Sequence, residues 1–171
     1  MELSEPAVEG TLHSADGVGI VRMRTQCGAD VDDVWSALTD PLRLARWFGK
    51  VNGDLQEDGE ATALVMSSGW DGRVHIDKCV PRRELRVTMW EEEGSRHSVS
   101  AELLPDGAKT DLAIEVRGVP LDVLWAYGAG WQEHVEDLRA HLEGKDRAST
   151  GSDARFDEIA PHYREMAVIA I

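Results

Sequence analysis

The sequence predicts an α+β domain in which a curved antiparallel sheet is covered by one long helix near the C-terminus. Three observations predict it. Between Val51 and Arg117, alternating segments are separated by the turn dipeptides Asn52-Gly53, Asp58-Gly59, Asp71-Gly72 and Asp106-Gly107, the pattern of an antiparallel meander. Downstream, Leu124, Gly128, Trp131, Val135, Leu138 and Leu142 recur at steps of three or four, which places them on one helical face. Ahead of both lie a strand and two short helices. An antiparallel sheet with one polar face needs cover on the other, and a helix of this length supplies it.

The elements follow in order. Gly10 to Gln26 reads as the first strand, with Val21 and Met23 alternating against Arg22 and Arg24, the period of a half-exposed strand. Asp30 is an N-cap, with Asp33 in the capping-box position. Val31, Val34, Trp35 and Leu38 then share one helical face. Asp40-Pro41 starts a second short helix, with Asp as cap and Pro at the first helical position; it delivers Trp47-Phe48-Gly49. The predicted strands are Glu60 to Ser67, Arg73 to Val80, Glu84 to Trp90, Arg96 to Leu104 and Lys109 to Arg117. Within the second of these, alternation sets Val74, Ile76 and Val80 against Arg73, His75, Asp77 and Cys79. The long helix begins near Pro120 and stops at Gly144. Residues 145–171 change character: a polar linker, a stretch of helix interrupted by Pro161, and the apolar end Ala167-Val168-Ile169-Ala170-Ile171. Such an end is expected to add to a sheet edge or to dock on a second copy of the chain as a homodimer.

Length and charge bound the function. A chain of 171 residues fits one domain with a sizeable core. The net charge of −14 repels polyanions and anionic lipid surfaces, so nucleic acid is not an expected partner. No run reaches the roughly 18 apolar residues a membrane span needs. The acidic start, with Glu2, Glu5 and Glu9, is unlike a secretory signal, and the expected location is cytoplasmic. Cys27 and Cys79 have no zinc-site spacing and read as small buried hydrophobes on strands. No cofactor or metal is expected. His134 and His141 share the long helix without a third ligand. Phosphate loop, nucleophile elbow and zinc-protease motif are absent from the sequence.

Three stretches resemble a known family. They are Asp33-Val34-Trp35-Ser36-Ala37-Leu38-Thr39-Asp40-Pro41 continuing through Leu44 to Gly49; Val99 to Arg117 with Pro105-Asp106-Gly107; and Gly130-Trp131 followed by Val135, Leu138, Leu142 and Gly144. In order and spacing they are similar to the activator-of-Hsp90-ATPase homologue family of the START/Bet v 1-like superfamily. The resemblance covers about residues 10–144, so 1–144 is expected to form the domain and 145–171 a tail outside the pattern. It implies a helix-grip fold: a seven-stranded curved sheet wrapped on the C-terminal helix, with two short helices after the first strand. It also implies a cavity that takes lipid-, sterol- or polyketide-like molecules.

Candidate lining residues follow from that expectation. The excess of tryptophan, six against two Phe and two Tyr, supplies most of them. Trp35 and Trp131 sit on apolar helix faces, where core packing competes with ligand contact. Trp47 and Phe48 fall where the helix pair meets the sheet opening. Trp70, beside Met66 in the following loop, is a rim candidate. Trp90 shares parity with Thr88 and Arg86, opposite Leu85, Val87 and Met89, whereas the resemblance implies an inward Trp near this point; both orientations stay open. His75 and His97 are candidate polar anchors in an apolar pocket, although His75 shares a face with Arg73 and Asp77. Leu124, Tyr127, Gly128 and Trp131 line the helix side. Gly128 and Gly130 each weaken a helix by about 1 kcal/mol, for close packing or for room beside Trp131.

The leading expectation is a non-enzymatic binder of a small apolar molecule. The first rival is a cyclase- or aromatase-like enzyme in the same cavity, with His75, His97, Arg86 and Tyr127 as the ionisable groups it would use. The second is an Hsp90-related protein-interaction module, which rests on the family name alone.

Overall fold

The computed structural model of the protein describes residues 7–53, 59–65, 70–91, 94, 96–145 and 154–171. Its elements are β1 Val8–Ala15, β2 Val18–Cys27, α1 Val31–Thr39, α2 Pro41–Trp47, β3 Gly49–Asn52, β4 Glu60–Val65, β5 Asp71–Val80, β6 Glu84–Trp90, β7 Arg96–Asp106, β8 Lys109–Val119, α3 Leu124–Leu142, α4 Ala154–Glu165 and β9 Val168–Ala170. A short 3-10 turn, Leu121–Val123, leads into α3. The strands form one sheet in the order β3-β4-β5-β6-β7-β8-β2-β1-β9. All neighbours are antiparallel except β9, which runs parallel to β1.

The described residues thus hold nine strands rather than the expected seven; beyond the six segments read from the alternation stand β3, Gly49–Asn52, and two further strands. Gly10 to Gln26 is a hairpin, not a single strand. Asp16 and Gly17 both take positive φ, 52° and 81°, the backbone of a two-residue hairpin turn whose twist suits the flanking strands. Ala15 therefore pairs with Val18 and Leu12 with Val21. The further strand comes from the apolar end, where Leu12 pairs with Val168 and Ser14 with Ala170. The chain's last amide continues the ladder, Ile171 N–H donating to the Ser14 carbonyl at 2.9 Å.

One predicted alternation is corrected by a bulge. The β5–β6 register runs Ile76↔Val87 and then Lys78↔Arg86, leaving Asp77 as the extra residue. Beyond it the parity reverses. Cys79 pairs with Leu85 and packs against the core, while Val80 is exposed.

The helix starts follow their caps. Asp30 accepts from the Asp33 amide at 2.9 Å, and Asp40 accepts from the Leu42 amide at 3.0 Å with Pro41 next in the chain. The Asp33 carboxylate turns to Arg43 instead, 2.6 Å away. Inward residues of the sheet, among them Val21, Met23, Leu103, Leu112 and Val116, join Val34, Trp35 and Leu38 of α1 and Val135 and Leu138 of α3 in one core.

α4 covers the back of α3. Tyr163 of α4 is almost wholly buried, and its hydroxyl donates to Gln132 Oε1 at 2.7 Å. Arg155 forks onto both carboxylate oxygens of Glu136, each contact 2.6 Å, the bidentate geometry that fixes orientation as well as charge. The Arg164 guanidinium lies 4.1 Å from the centre of the Trp125 ring. Among the described residues no helix is long and apolar enough to cross a membrane.

The two helical glycines separate on this geometry. A Cβ on Gly128 would lie 2.6 Å from Cδ1 of Tyr163 and 3.1 Å from Leu12, whereas a Cβ on Gly130 would meet nothing within 4 Å. Gly130→Ala is therefore expected to gain about 1 kcal/mol from helix propensity. Gly128→Ala should lose roughly 1–3 kcal/mol through overpacking. Urea denaturation of the two variants checks the opposite signs.

Candidate functional site

α3 does not lie centrally on the sheet. Its closest strand neighbours are β2 and β1. Leu124 at its start sits against Gly19, where a Cβ would meet the Leu124 side chain at 2.7 Å. Near its end Arg139 donates to Thr25 Oγ1 at 2.8 Å and also to the Gln26 carbonyl. Both ends are thereby tied to β2, and the middle of the helix stands away from the strands on the other side.

A cavity of about 680 Å³ opens there. Its walls are Phe48 after α2, Val65 of β4, Trp70 and Asp71 at the start of β5, Met89 and Glu91 at the end of β6, and His97 of β7. Ala126, Tyr127, Gly130, Trp131, Glu133 and His134 come from α3, and Phe156 from α4. Behind it lies a smaller compartment of about 90 Å³ with almost wholly apolar walls, including Leu38, Leu44, Trp47, Val74, Leu85 and Val87. Phe48, Met89 and Trp131 line both, so the second compartment is the inner end of the first.

Local structure aims these side chains. The Trp47 indole N–H donates to the Ala37 carbonyl at 2.9 Å, which holds α2 against α1 and sets Phe48 at the junction. Phe48 lies 6.2 Å from Trp131 and 5.1 Å from His134, ring centre to ring centre. On the opposite wall His97 makes edge contacts with Tyr127 at 5.6 Å and Trp70 at 6.4 Å. The Trp70 indole folds back over Gly72, where a Cβ would meet it at 2.6 Å; the glycine makes that placement possible.

His97 is the polar group set deepest in this aromatic wall. It is only 7% exposed, and its Nδ1 makes no hydrogen bond among the described residues. Burial holds its pKa below the ordinary histidine value. Glu133 and His134 are buried as well, while Asp71 and Glu91 stand at the open end. No Lys or Arg is among the described lining residues. No cluster of three or more His, Cys, Asp or Glu among the described residues has the geometry to hold a metal ion.

The residues singled out in the sequence divide clearly. Phe48, Trp70, His97, Tyr127 and Trp131 meet at the cavity, and Trp47 lines its inner end. Trp35 belongs to the core between α1 and the sheet, and Leu124 to the contact with β2. Gly128 faces Tyr163 and Leu12 rather than the cavity. His75 and Trp90 lie on the outer face of the sheet. His75 bonds Asp77 at 3.0 Å, and Trp90 carries the Arg96 guanidinium 5.1 Å from its ring centre. Arg86 is on that outer face too. Met66 lies outside the described residues. Sequence reasoning missed Glu133 and His134, because their burial depends on distant partners, for His134 the Phe48 ring after α2. Gly130, offered by the sequence for close packing or for room beside Trp131, lines the cavity.

A sheet that grips one long helix, with a partly apolar cavity between them, defines the helix-grip class of START/Bet v 1-like folds. The chain belongs to the activator of Hsp90 ATPase homolog 1-like protein family, whose model matches residues 28–143. It is similar to the crystal structure of CalU16 from Micromonospora echinospora, with 26% identity, 92% of this chain and 96% of that chain covered, and a TM-score of 0.75. It is also similar to DynU16, a protein in the dynemicin biosynthetic locus, with 26% identity, 77% and 50% coverage and a TM-score of 0.69. The conserved protein EF2215 from Enterococcus faecalis shares the fold at 15% identity, 92% and 89% coverage and a TM-score of 0.72. No curated protein matches the chain.

The buried His13 and His97 and the half-buried His141 predict an acid-sensitive fold. Burial lowers the pKa of His97; burial and then Arg22 lower that of His13; burial, then Arg43 and Arg46, lower that of His141. Below about pH 6.5 the unfolded chain takes up protons that the folded sites resist. Stability is therefore full above that value and falls as the pH drops through it. His97→Phe should flatten part of the fall, read as urea midpoints between about pH 7.5 and pH 5.5.

Proposed function

We propose that the protein binds one small, largely apolar molecule in the cavity between α3 and the β4–β7 side of the sheet. One observation carries this reading: the interior there is hollow. A cavity of about 680 Å³ backed by an apolar compartment falls within the roughly 300–1,000 Å³ of small-molecule sites. Its walls have the composition of such sites, aromatic and aliphatic with a few polar groups. The similarity to DynU16, which belongs to a locus for dynemicin biosynthesis, supports a role close to small-molecule chemistry. Of the groups an enzyme reading would use, His97 and Tyr127 reach the cavity, beside Glu133 and His134, while His75 and Arg86 are on the outer face.

The test is a titration with the uncharged fluorescent probe N-phenyl-1-naphthylamine. Saturable binding of one probe per chain is expected. Gly130→Phe projects a ring into the cavity from a position with free space and should weaken binding at least about tenfold, or 1.4 kcal/mol, without lowering the urea midpoint. Unchanged probe affinity in that variant, or no saturable binding to the parent protein, would overturn the proposal.

A further inference from the structure

The charge of the cavity walls says what kind of polar end a ligand can carry. We infer that the site selects amphiphiles whose polar end is uncharged or a protonated amine, and rejects carboxylates, phosphates and sulfates. This rests on the binding proposal and narrows it to a ligand class.

The two compartments differ in polarity. The inner one is lined by side chains such as Leu44, Val74, Leu85 and Val87 and offers almost no polar surface, so it takes the apolar body. Any polar end must stay in the outer part, near His97, Glu133, Asp71 and Glu91. An anion there would lose water and gain no counter-charge, because no described lining residue is Lys or Arg. Several arginines sit elsewhere: Arg22, Arg86 and Arg117 are on the outer face of the sheet, and Arg155 is bound to Glu136 on the back of α3. An unpaired buried charge is among the costliest arrangements in a protein, and the lining carboxylates add repulsion.

The same walls suit the other head groups. The His97 ring lines this space with its Nδ1 enclosed, so a ligand would meet the ring at the other nitrogen, Nε2. A neutral imidazole has one donor and one acceptor nitrogen, which matches a hydroxyl or carbonyl. A protonated amine finds the Glu133 carboxylate, and the rings of Trp131, Tyr127 and Trp70 line the same space, where a cation is attracted to an aromatic face.

A series on one skeleton tests the inference by isothermal calorimetry at about pH 7.5: 2-methylnaphthalene, 2-naphthylmethanol, 2-naphthylmethylamine and 2-naphthoate. The alcohol and the amine are expected to bind at least about tenfold more tightly than the carboxylate. The alcohol should exceed the bare hydrocarbon by roughly three- to tenfold. His97→Phe should remove that advantage, with His97→Gln restoring part of it. Glu133→Gln should narrow the gap between amine and carboxylate. If the carboxylate binds as well as the alcohol while the series saturates the site, the inference on charge is overturned and the binding proposal stands. If no member binds, both fall.

Discussion

Both ends of α3 are tied to β2, and this asymmetric attachment sets the position of the cavity. Leu124 against Gly19 fixes one end, and Arg139 on Thr25 and the Gln26 carbonyl fixes the other. A straight helix held along β1 and β2 cannot also fill the concavity of a sheet that runs on through β8 and β7 to β3. The unfilled side becomes the cavity, and the residues of α3 that overlook it are Tyr127, Gly130, Trp131 and His134. Hollowness here follows from where the helix is fastened. It does not require weak packing elsewhere, and the core beside α1 is dense with fully buried Val21, Val34 and Val116.

α4 and β9 reinforce that attachment. By covering α3 from behind, α4 buries Tyr163, Ile159 and Ala160 and gives the helix an interior on two sides. Polar residues on α3, Glu133, His134 and Asp137, are buried as well, His134 against the Phe48 and Trp131 rings. The Arg155–Glu136 fork orients α4 so that Phe156 reaches the cavity wall. α4, which lies beyond the residues the family model matches, therefore contributes to the cavity wall through Phe156.

Much of this was legible in the sequence where local chemistry decides structure. Asp30 and Asp40 cap their helices as read, and the long apolar stripe became α3. Where the outcome depends on distant partners, the reading stopped short. Asp16-Gly17 is as good a hairpin signal as the other Asp-Gly pairs, but it stands inside Gly10 to Gln26, a segment that reads as one strand. The extra residue at Asp77 leaves no mark in a pattern of alternation, which therefore puts Cys79 and Val80 on the wrong faces, while the reading of Cys79 as a small hydrophobe on a strand agrees with its packing against the core. For Trp90, alternation with Thr88 and Arg86 pointed outward, and the outer face is where it lies, beneath Arg96. Gly128 and Gly130 looked alike in sequence. Only the position of Tyr163 shows that one is a packing contact and the other borders empty space.

The central claim is that a ligand enters the space between α3 and the β4–β7 side of the sheet. The most direct measurement is isotope-filtered NMR on labelled protein with unlabelled 2-naphthylmethanol, which reports which protons touch the probe. The account predicts intermolecular NOEs to the Met89 methyl group, the Trp131 indole and the Val87 methyl groups, with the outer face silent. NOEs confined to outer-face residues such as Trp90, or none from the cavity walls at saturating probe, would contradict it.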